Sequence, residues 1–151
     1  MTREQLAIPA VEDVTTVGCV GIGTIGGGWV AHFLAQGYTV RAWDPAPDAE
    51  EKLRVLIDMA WPALTELGLA EGADPHAVTV HSDLAEALDG VQFVQESAPE
   101  DLELKRDLFA RIDEALAPGV IVGASTSGYS MTEMATQLAD PSRFVVGHPF
   151  N

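Results

Sequence analysis

The fold of this chain is decided by the stretch Val17-Gly18-Cys19-Val20-Gly21-Ile22-Gly23-Thr24-Ile25-Gly26-Gly27-Gly28, in which an apolar strand leads directly into a glycine cluster. The glycines have the spacing of a dinucleotide-binding turn. Gly21 would allow the tight turn, Gly23 would let the backbone approach a pyrophosphate, and Gly26 would let the following helix pack closely on the strand. The pyrophosphate would then lie at a helix N-terminus, where free N–H groups and the helix dipole favour negative charge.

The residues that follow complete the first half of such a unit. Apolar side chains recur at helical spacing from Ile25 to Leu34, and Gly37 ends the helix. The alternating segment Tyr38-Thr39-Val40-Arg41-Ala42-Trp43 predicts a second strand, and Asp44 follows it where a carboxylate would accept hydrogen bonds from the adenosine ribose. Because Pro45-Ala46-Pro47 contains no arginine to hold a 2′-phosphate, we predict NAD rather than NADP as the cofactor. The alternative interpretation of Asp44 is a simple turn former.

Strands and helices continue to alternate to the end of the chain. The remaining predicted strands are Val78–Val80, Val91–Gln95, Val120–Ala124 and Phe144–Val146, and the remaining predicted helices are a long one from Asp48 to Gly68, then Asp83–Leu88, Leu104–Leu116 and Met131–Leu138. Pro62 is expected to bend or split the long helix. This alternation predicts an α/β fold with a doubly wound parallel sheet and right-handed crossovers.

Length and charge restrict the classes of function. The chain has 151 residues, about one domain, and a formal net charge of -15, which argues against nucleic acid or an anionic membrane surface as a partner. The single cysteine, Cys19, falls in the first strand and is expected to be a buried small hydrophobe. Residues 1–13 contain no apolar segment of signal-peptide length, so we interpret them as a leader before a domain of residues 14–151 and expect a cytoplasmic protein.

Candidate catalytic residues follow the last strands, because ligands of doubly wound sheets bind beyond the carboxyl ends of the strands. Ser125-Thr126-Ser127 and His148 would converge on the crevice of the cofactor. A histidine titrates near neutrality and can take the hydroxyl proton when a secondary alcohol loses a hydride. A nearby serine hydroxyl can hold the substrate oxygen. The other interpretation of His148 is an ordinary loop histidine, and we predict no metal site because no histidine pair has ligand spacing with a cysteine or carboxylate partner.

Four segments of the chain resemble the 3-hydroxyacyl-CoA dehydrogenase family. They are Gly21–Gly26, Glu96–Lys105, Ser125–Ser127 and His148–Asn151, in this order. The resemblance runs over nearly the whole chain from Val17 onward and implies a Rossmann-type NAD-binding domain. It also implies roles: His148 would be the catalytic base, Ser127 would bind the reacting oxygen of the substrate, and Asn151 would help to shape the substrate site.

The strand ends and the resemblance together give the predicted cofactor-binding residues, which are Gly21, Gly23, Thr24, Ile25, Gly26, Asp44, Ala98, Pro99, Glu100 and Lys105. The resemblance places the last two at the nicotinamide half. In the family, a glutamate farther along holds the catalytic histidine, and a helical C-terminal domain supplies substrate contacts and the dimer interface. Neither lies before Asn151, so we expect this chain to be the cofactor-binding half of a homodimeric enzyme, inactive alone.

Within the family, the segments Ala42–Pro45, Ala60–Leu64 and Gln95–Glu100 are most similar to members that oxidise the 3-hydroxyl of carnitine. A quaternary ammonium substrate would be attracted to an acidic protein, whereas coenzyme A carries several negative charges. CoA-using relatives bind CoA phosphates through lysines of the long helix, but no lysine or arginine occurs from Val55 to Leu104. Two alternatives remain open: a 3-hydroxyacyl-CoA dehydrogenase whose acidity only keeps it soluble, and a non-catalytic NAD-binding module.

Overall fold

A computed structural model describes residues 8–149, which form a parallel six-stranded sheet in the order β3-β2-β1-β4-β5-β6, covered by helices. The strands are β1 Thr16–Val20, β2 Thr39–Trp43, β3 Val78–His81, β4 Phe93–Glu96, β5 Ile121–Ala124 and β6 Phe144–Val146. The helices are α1 Thr24–Ala35, α2 Ala49–Leu67, α3 Leu84–Leu88, α4 Leu102–Ala115 and α5 Met131–Met134, with short 3₁₀ turns at Val11–Asp13 and Pro141–Arg143. The predicted doubly wound parallel sheet is therefore confirmed.

Two hydrophobic cores lie on the two faces of the sheet. Side chains of β1 alternate between them, as the period of a strand requires: Val17 and Cys19 pack with α1 and α2, whereas Val20 packs with α3 and α4. Strand β1 carries no charged side chain, as expected of a strand whose two faces are both covered. Cys19 is buried as expected, and burial raises the pKa of its thiol.

Two helices differ clearly from the sequence predictions. Helix α2 runs without interruption from Ala49 to Leu67, so the predicted split at Pro62 is wrong. Pro62 has no N–H to donate to the carbonyl of Asp58, four residues earlier in the helix. Both residues are exposed, so water can form a hydrogen bond with that carbonyl instead. Helix α5 ends at Met134 rather than at Leu138. After it, the N–H of Leu138 donates to the carbonyl of Ala135, and the N–H groups of Ala139 and Asp140 donate to the Asp113 carboxylate.

The segment before β1 is attached to the sheet through one side chain. The amide of Gln92 accepts hydrogen bonds from the N–H groups of Thr15 and Thr16 and donates to the carbonyl of Asp13. This use of Gln92 explains why β4 begins at Phe93, two residues later than predicted. No helix within residues 8–149 combines the length and the hydrophobicity needed to cross a membrane. The boundary of the predicted leader at residue 13 stays a prediction.

Candidate active site and cofactor cleft

A cavity of about 1000 Å³ opens at the carboxyl edge of the sheet. This volume is at the upper end of the range for small-molecule and cofactor sites. The cavity brings together most of the predicted site residues, although they come from the ends of five strands. Those that line it are Gly21, Gly23, Thr24, Ile25, Asp44, Ala98, Pro99, Glu100, Ser127 and His148. Gly26 and Lys105 are buried just behind its wall, and Asn151 lies outside the described residues.

The glycine turn has the geometry that a bound pyrophosphate requires. Gly21 has a φ of 82°, which L side chains rarely adopt, and a Cβ there would lie 2.8 Å from the backbone nitrogen of Ala98. A Cβ on Gly26 would lie 1.8 Å from the carbonyl oxygen of Gly21, so helix α1 can approach the turn only without a side chain. Around Gly23, the N-cap of α1, a Cβ would meet nothing within 4 Å. The first amides of α1 therefore lie beside open space, and the turn fits a dinucleotide phosphate.

Asp44 is held in place by backbone amides. Its Oδ2 accepts a hydrogen bond of 2.9 Å from the N–H of Ile22, and its Oδ1 accepts one of 2.9 Å from the N–H of Ala46. Each carboxylate oxygen can accept a second bond, so capacity for the ribose hydroxyls remains. The two interpretations of Asp44 are thus compatible, because it forms a local turn and also lines the cavity.

An aromatic and cationic wall that sequence reasoning missed lies next to Asp44. The guanidinium of Arg111, on α4, lies over the ring of Trp43 with its Cζ 5.4 Å from the ring centroid, and both residues line the cavity. The indole Nε1 of Trp43 donates to the carbonyl of Ser82 at 3.2 Å, which fixes the ring. The position of Trp43 beside the predicted ribose acid was a usable signal. Nothing local in the sequence indicates that Arg111 would reach this wall.

A buried ion pair supports the loop after β4. The Lys105 ammonium is 1% exposed and donates to Glu96 Oε1 at 2.9 Å and to the carbonyl of Ala98 at 3.1 Å. Burial raises the pKa of Glu96, although the charge of Lys105 opposes this effect. The Glu96 carboxylate also accepts the N–H of Ala98 at 2.7 Å. The structure therefore places Lys105 beneath the loop, not on the cavity surface.

Glu100 connects two loops of the cavity. Its Oε1 accepts hydrogen bonds from the hydroxyl of Thr126 and from the N–H groups of Ser127 at 3.1 Å and Gly128 at 2.8 Å. Burial acts to raise the pKa of Glu100, but the bonds from Thr126 and Gly128 outweigh it, so the pKa is lowered. The ionised carboxylate thus fixes the backbone that carries Ser127.

A polar network lies between the glycine turn and Ser127. The hydroxyl of Ser125 is 2.7 Å from that of Ser97, 2.8 Å from Gln95 Nε2 and 3.2 Å from Trp29 Nε1. Ser97 and Ser125 both line the cavity. Such a network is hard to predict from the sequence because its four members come from α1, β4 and the loops after β4 and β5. Ser125 was part of a predicted segment, whereas Trp29 and Ser97 carried no predicted role.

His148 follows β6 and lines the same cavity as the glycine turn. Its imidazole is exposed. The start of β6 is fixed by Arg143, whose guanidinium forms a buried ion pair with Asp113 at 2.6 Å and donates to the carbonyl of Ala117 at 2.9 Å. This clamp attaches the strand that carries His148 to the end of α4.

Comparison with known proteins supplies the family. Residues 16–151 match the family described as 3-hydroxyacyl-CoA dehydrogenase, NAD binding domain. The chain is 65% identical over 140 residues to L-carnitine dehydrogenase of Streptomyces coelicolor, which covers 93% of this chain and 44% of the relative. It is also 65% identical over 151 residues to L-carnitine dehydrogenase of Streptomyces griseus, covering 99% of this chain and 45% of the relative.

A solved structure agrees with this result. The 3-hydroxybutyryl-CoA dehydrogenase from Escherichia coli K12 matches with a TM-score of 0.81 at 29% identity, covering 92% of this chain and 30% of that chain. The present chain spans less than half the length of the two Streptomyces relatives, at 44% and 45%. The match of residues 16–151 extends over the sheet and the cleft described above. The chain therefore belongs to the 3-hydroxyacyl-CoA dehydrogenase family and forms its NAD-binding domain.

Proposed function

We propose that the protein oxidises the 3-hydroxyl of L-carnitine to 3-dehydrocarnitine with NAD, and that this chain is the cofactor-binding half of the enzyme. The observation that carries the proposal is that a single cavity joins the glycine turn and Asp44 to Ser127 and His148. The identity of 65% to two L-carnitine dehydrogenases supports the substrate.

The cofactor half of the cleft would hold NAD through its backbone. The α1 amides near Thr24 and Ile25 would bind the pyrophosphate, Asp44 would accept the adenosine ribose hydroxyls, and the segment of Ala98 and Pro99 would cover the turn. NAD supplies the acceptor for the hydride that leaves the carbinol carbon. The apolar, preformed turn around Gly21 keeps the cofactor in one orientation.

The reaction half would manage the proton and the oxygen of the substrate. The imidazole of His148 would take the hydroxyl proton as a general base. The hydroxyl of Ser127 would bind the same oxygen. Glu100 accepts hydrogen bonds from the N–H groups of Ser127 and Gly128, so it would fix the position of the Ser127 hydroxyl relative to the cofactor. A role for Lys105 would act through Glu100, whose Oε2 lies 3.8 Å from the ammonium.

The charges on α2 support carnitine over an acyl-CoA. The first two turns of the helix carry two basic residues, Lys52 and Arg54. The ammonium of Lys52 lies 2.7 Å from the carboxylate of Asp48. Arg54 lies 3.5 Å from Glu50 and donates to the carbonyl of Val78 at 3.2 Å. Each of the two basic side chains therefore already has an acidic partner within the chain. Because the surrounding surface is acidic, it would repel the phosphates of CoA. A trimethylammonium group would be attracted to it.

The decisive experiment is a substrate comparison with the complete enzyme. We expect oxidation of L-carnitine with NAD and no reduction of acetoacetyl-CoA with NADH. The reverse result would assign the enzyme to the 3-hydroxyacyl-CoA dehydrogenases that act on CoA esters. NAD binding without either activity, unaffected by His148→Ala, would assign a non-catalytic NAD-binding module.

The remaining expectations concern assembly and location. The complete enzyme would be a homodimer through a helical C-terminal half, located in the cytoplasm, with residues 1–13 as a leader. The buried free thiol of Cys19 suits a reducing compartment. Light scattering of the complete enzyme would give the mass of a dimer, and a monomer mass at working concentration would contradict the dimer.

A further inference from the structure

The direction of the hydrogen bonds around Ser125 can be worked out by counting donors. A serine hydroxyl has one proton and two acceptor lone pairs. The indole of Trp29 can only donate, and the amide nitrogen of Gln95 also donates, so both acceptor positions of Ser125 Oγ are filled. The proton of Ser125 must therefore go to its remaining neighbour, Ser97 Oγ, at 2.7 Å.

This arrangement leaves the proton of Ser97 available. Ser97 Oγ accepts the bond from Ser125, and within the described residues it has no other hydrogen-bond partner. Ser97 is half-buried and lines the cavity. Its hydroxyl is thus a donor oriented by three neighbours, in a cleft where a ligand with an acceptor oxygen could receive the bond.

The order of the strands indicates which part of NAD lies there. Asp44 follows β2, the glycine turn follows β1, Ser97 follows β4, and His148 follows β6, along one edge in the order β2-β1-β4-β5-β6. With the adenosine ribose at Asp44 and the pyrophosphate at the glycine turn, the nicotinamide nucleotide extends toward β4. Ser97 lies on that side directly beside the end of β1, since its N–H donates to the carbonyl of Val20 at 2.8 Å.

We propose that Ser97 donates a hydrogen bond to an acceptor oxygen of the nicotinamide nucleotide of NAD, and that Ser125, Gln95 and Trp29 orient this donor. The network would therefore help to fix the position of the nicotinamide half of NAD before the substrate binds. The inference rests on the NAD site and not on the identity of the substrate.

The test measures binding in the complete enzyme by calorimetry, with NAD and with AMP, which occupies only the adenosine side. Ser97→Ala should weaken NAD binding by ~3- to 10-fold, the usual effect of one hydrogen bond, and leave AMP binding unchanged. Ser97→Thr keeps the hydroxyl and should retain the wild-type affinity. Unchanged NAD affinity of Ser97→Ala would overturn the inference, and so would equal weakening of NAD and AMP, which would indicate a displaced glycine turn.

A second variant tests the direction of the network. Gln95→Glu replaces the donor with an acceptor, so Ser125 would donate to residue 95 and Ser97 would donate to Ser125, away from the cleft. NAD should then bind as weakly as to Ser97→Ala, although Ser97 is still present. Wild-type NAD affinity of a folded Gln95→Glu enzyme would contradict the assigned direction. An enzyme that binds NAD in this pattern but does not oxidise carnitine would overturn the proposed function and leave this inference standing.

Discussion

The side of the cleft to which we assign the adenosine of NAD (the adenosine side) and the side to which we assign the reaction (the reaction side) are built in different ways. On the adenosine side, Asp44 is fixed by amides of Ile22 and Ala46, which lie close to it in the chain or on the adjacent strand end. On the reaction side, the loop of Ser127 is fixed by Glu100, and β6 is fixed by the pair of Arg143 and Asp113, over separations of 27 and 30 residues.

This difference indicates that the two sides control different properties, namely NAD binding and turnover. Backbone amides hold the adenosine side, so we expect it to be preformed and to contribute to NAD affinity rather than to turnover. Carboxylates and cations from distant elements hold the reaction side. Its geometry therefore depends on individual charged side chains, each of which can be removed by a single substitution. We therefore expect substitutions on the two sides to separate cofactor binding from turnover.

The largest expected effect is on the buried pair beneath the reaction side. Lys105→Met would leave the carboxylate of Glu96, which is 0% exposed, without its partner. We expect the free energy of unfolding to fall by about 3–5 kcal/mol, measured by urea denaturation of the NAD-binding domain within the complete enzyme. The double variant Glu96→Gln with Lys105→Met is the control and should recover part of the loss. A change below about 1 kcal/mol would show that the pair does not support the loop.

The next effect concerns turnover alone. His148→Ala should lower kcat by ~100-fold or more, because a positioned base is lost. The dissociation constant of NAD should stay within about twofold, since His148 lies at the opposite end of the cleft from Asp44. Steady-state kinetics and calorimetry of the complete enzyme give both numbers. Wild-type turnover would remove His148 from the role of base.

Two neighbouring glycines of α1 offer a matched pair on the adenosine side. Gly26→Ala would place a methyl group 1.8 Å from the carbonyl oxygen of Gly21, so the turn must move. We expect a loss of about 1–3 kcal/mol of stability together with weaker NAD binding. Gly28→Ala meets nothing within 4 Å and should instead stabilise α1 by about 0.5–1 kcal/mol. Equal effects of the two variants on unfolding and on NAD binding would contradict the geometry of the turn.

Asp44 tests the adenosine side through its carboxylate, which also accepts the N–H of Ile22. Asp44→Ala should weaken NAD binding by ~10-fold, because ribose hydroxyls lose a charged acceptor, and should reduce discrimination against NADP. Turnover at saturating NAD should change little. The measurement is the ratio of the NAD and NADP dissociation constants for wild type and variant. A wild-type preference for NADP would show that the ribose assignment is wrong.

The smallest effect depends on pH. Hydrogen bonds from Thr126 and Gly128 lower the pKa of Glu100, so its stabilising contribution is present above the ordinary glutamate pKa and is lost as pH falls through the lowered value. Glu100→Gln should lower the Tm at neutral pH, and the difference from wild type should shrink between about pH 5 and pH 3. Thermal unfolding over this pH range checks it. A constant difference would mean that ionisation of Glu100 does not hold the Ser127 loop.

The sequence predicted the fold, and it predicted that the glycine turn and Asp44 lie together at one edge of the sheet, because both depend on local patterns. The glycine spacing, the alternation of Tyr38–Trp43 and the carboxylate of Asp44 all act within one strand, turn or helix start. The parallel order of the sheet then follows from the alternation of strands and helices. The convergence of Ser127 and His148 on the cofactor cavity also follows, because strand carboxyl ends share one edge.

The parts that the sequence did not predict depend on contacts between distant elements. Trp43 and Arg111 are in contact although they are far apart in the sequence, and no local sequence pattern predicts such a contact. Lys105 and Glu96 form a buried pair only because α4 crosses the end of β4. The segment after α5 is likewise held by a distant residue, because Asp113 of α4 accepts the N–H groups of Ala139 and Asp140.

The clamp between Arg143 and Asp113 also has a consequence for biosynthesis. Strands β1, β2 and β4, which make the adenosine side, are complete by residue 96, whereas β6 cannot be anchored until Arg143 has emerged from the ribosome. We therefore expect the nascent chain to fold around the glycine turn and Asp44 first and to fix the segment of His148 last. Limited proteolysis of stalled ribosome-bound chains ending on either side of this arginine would show protection of the first segment before the second.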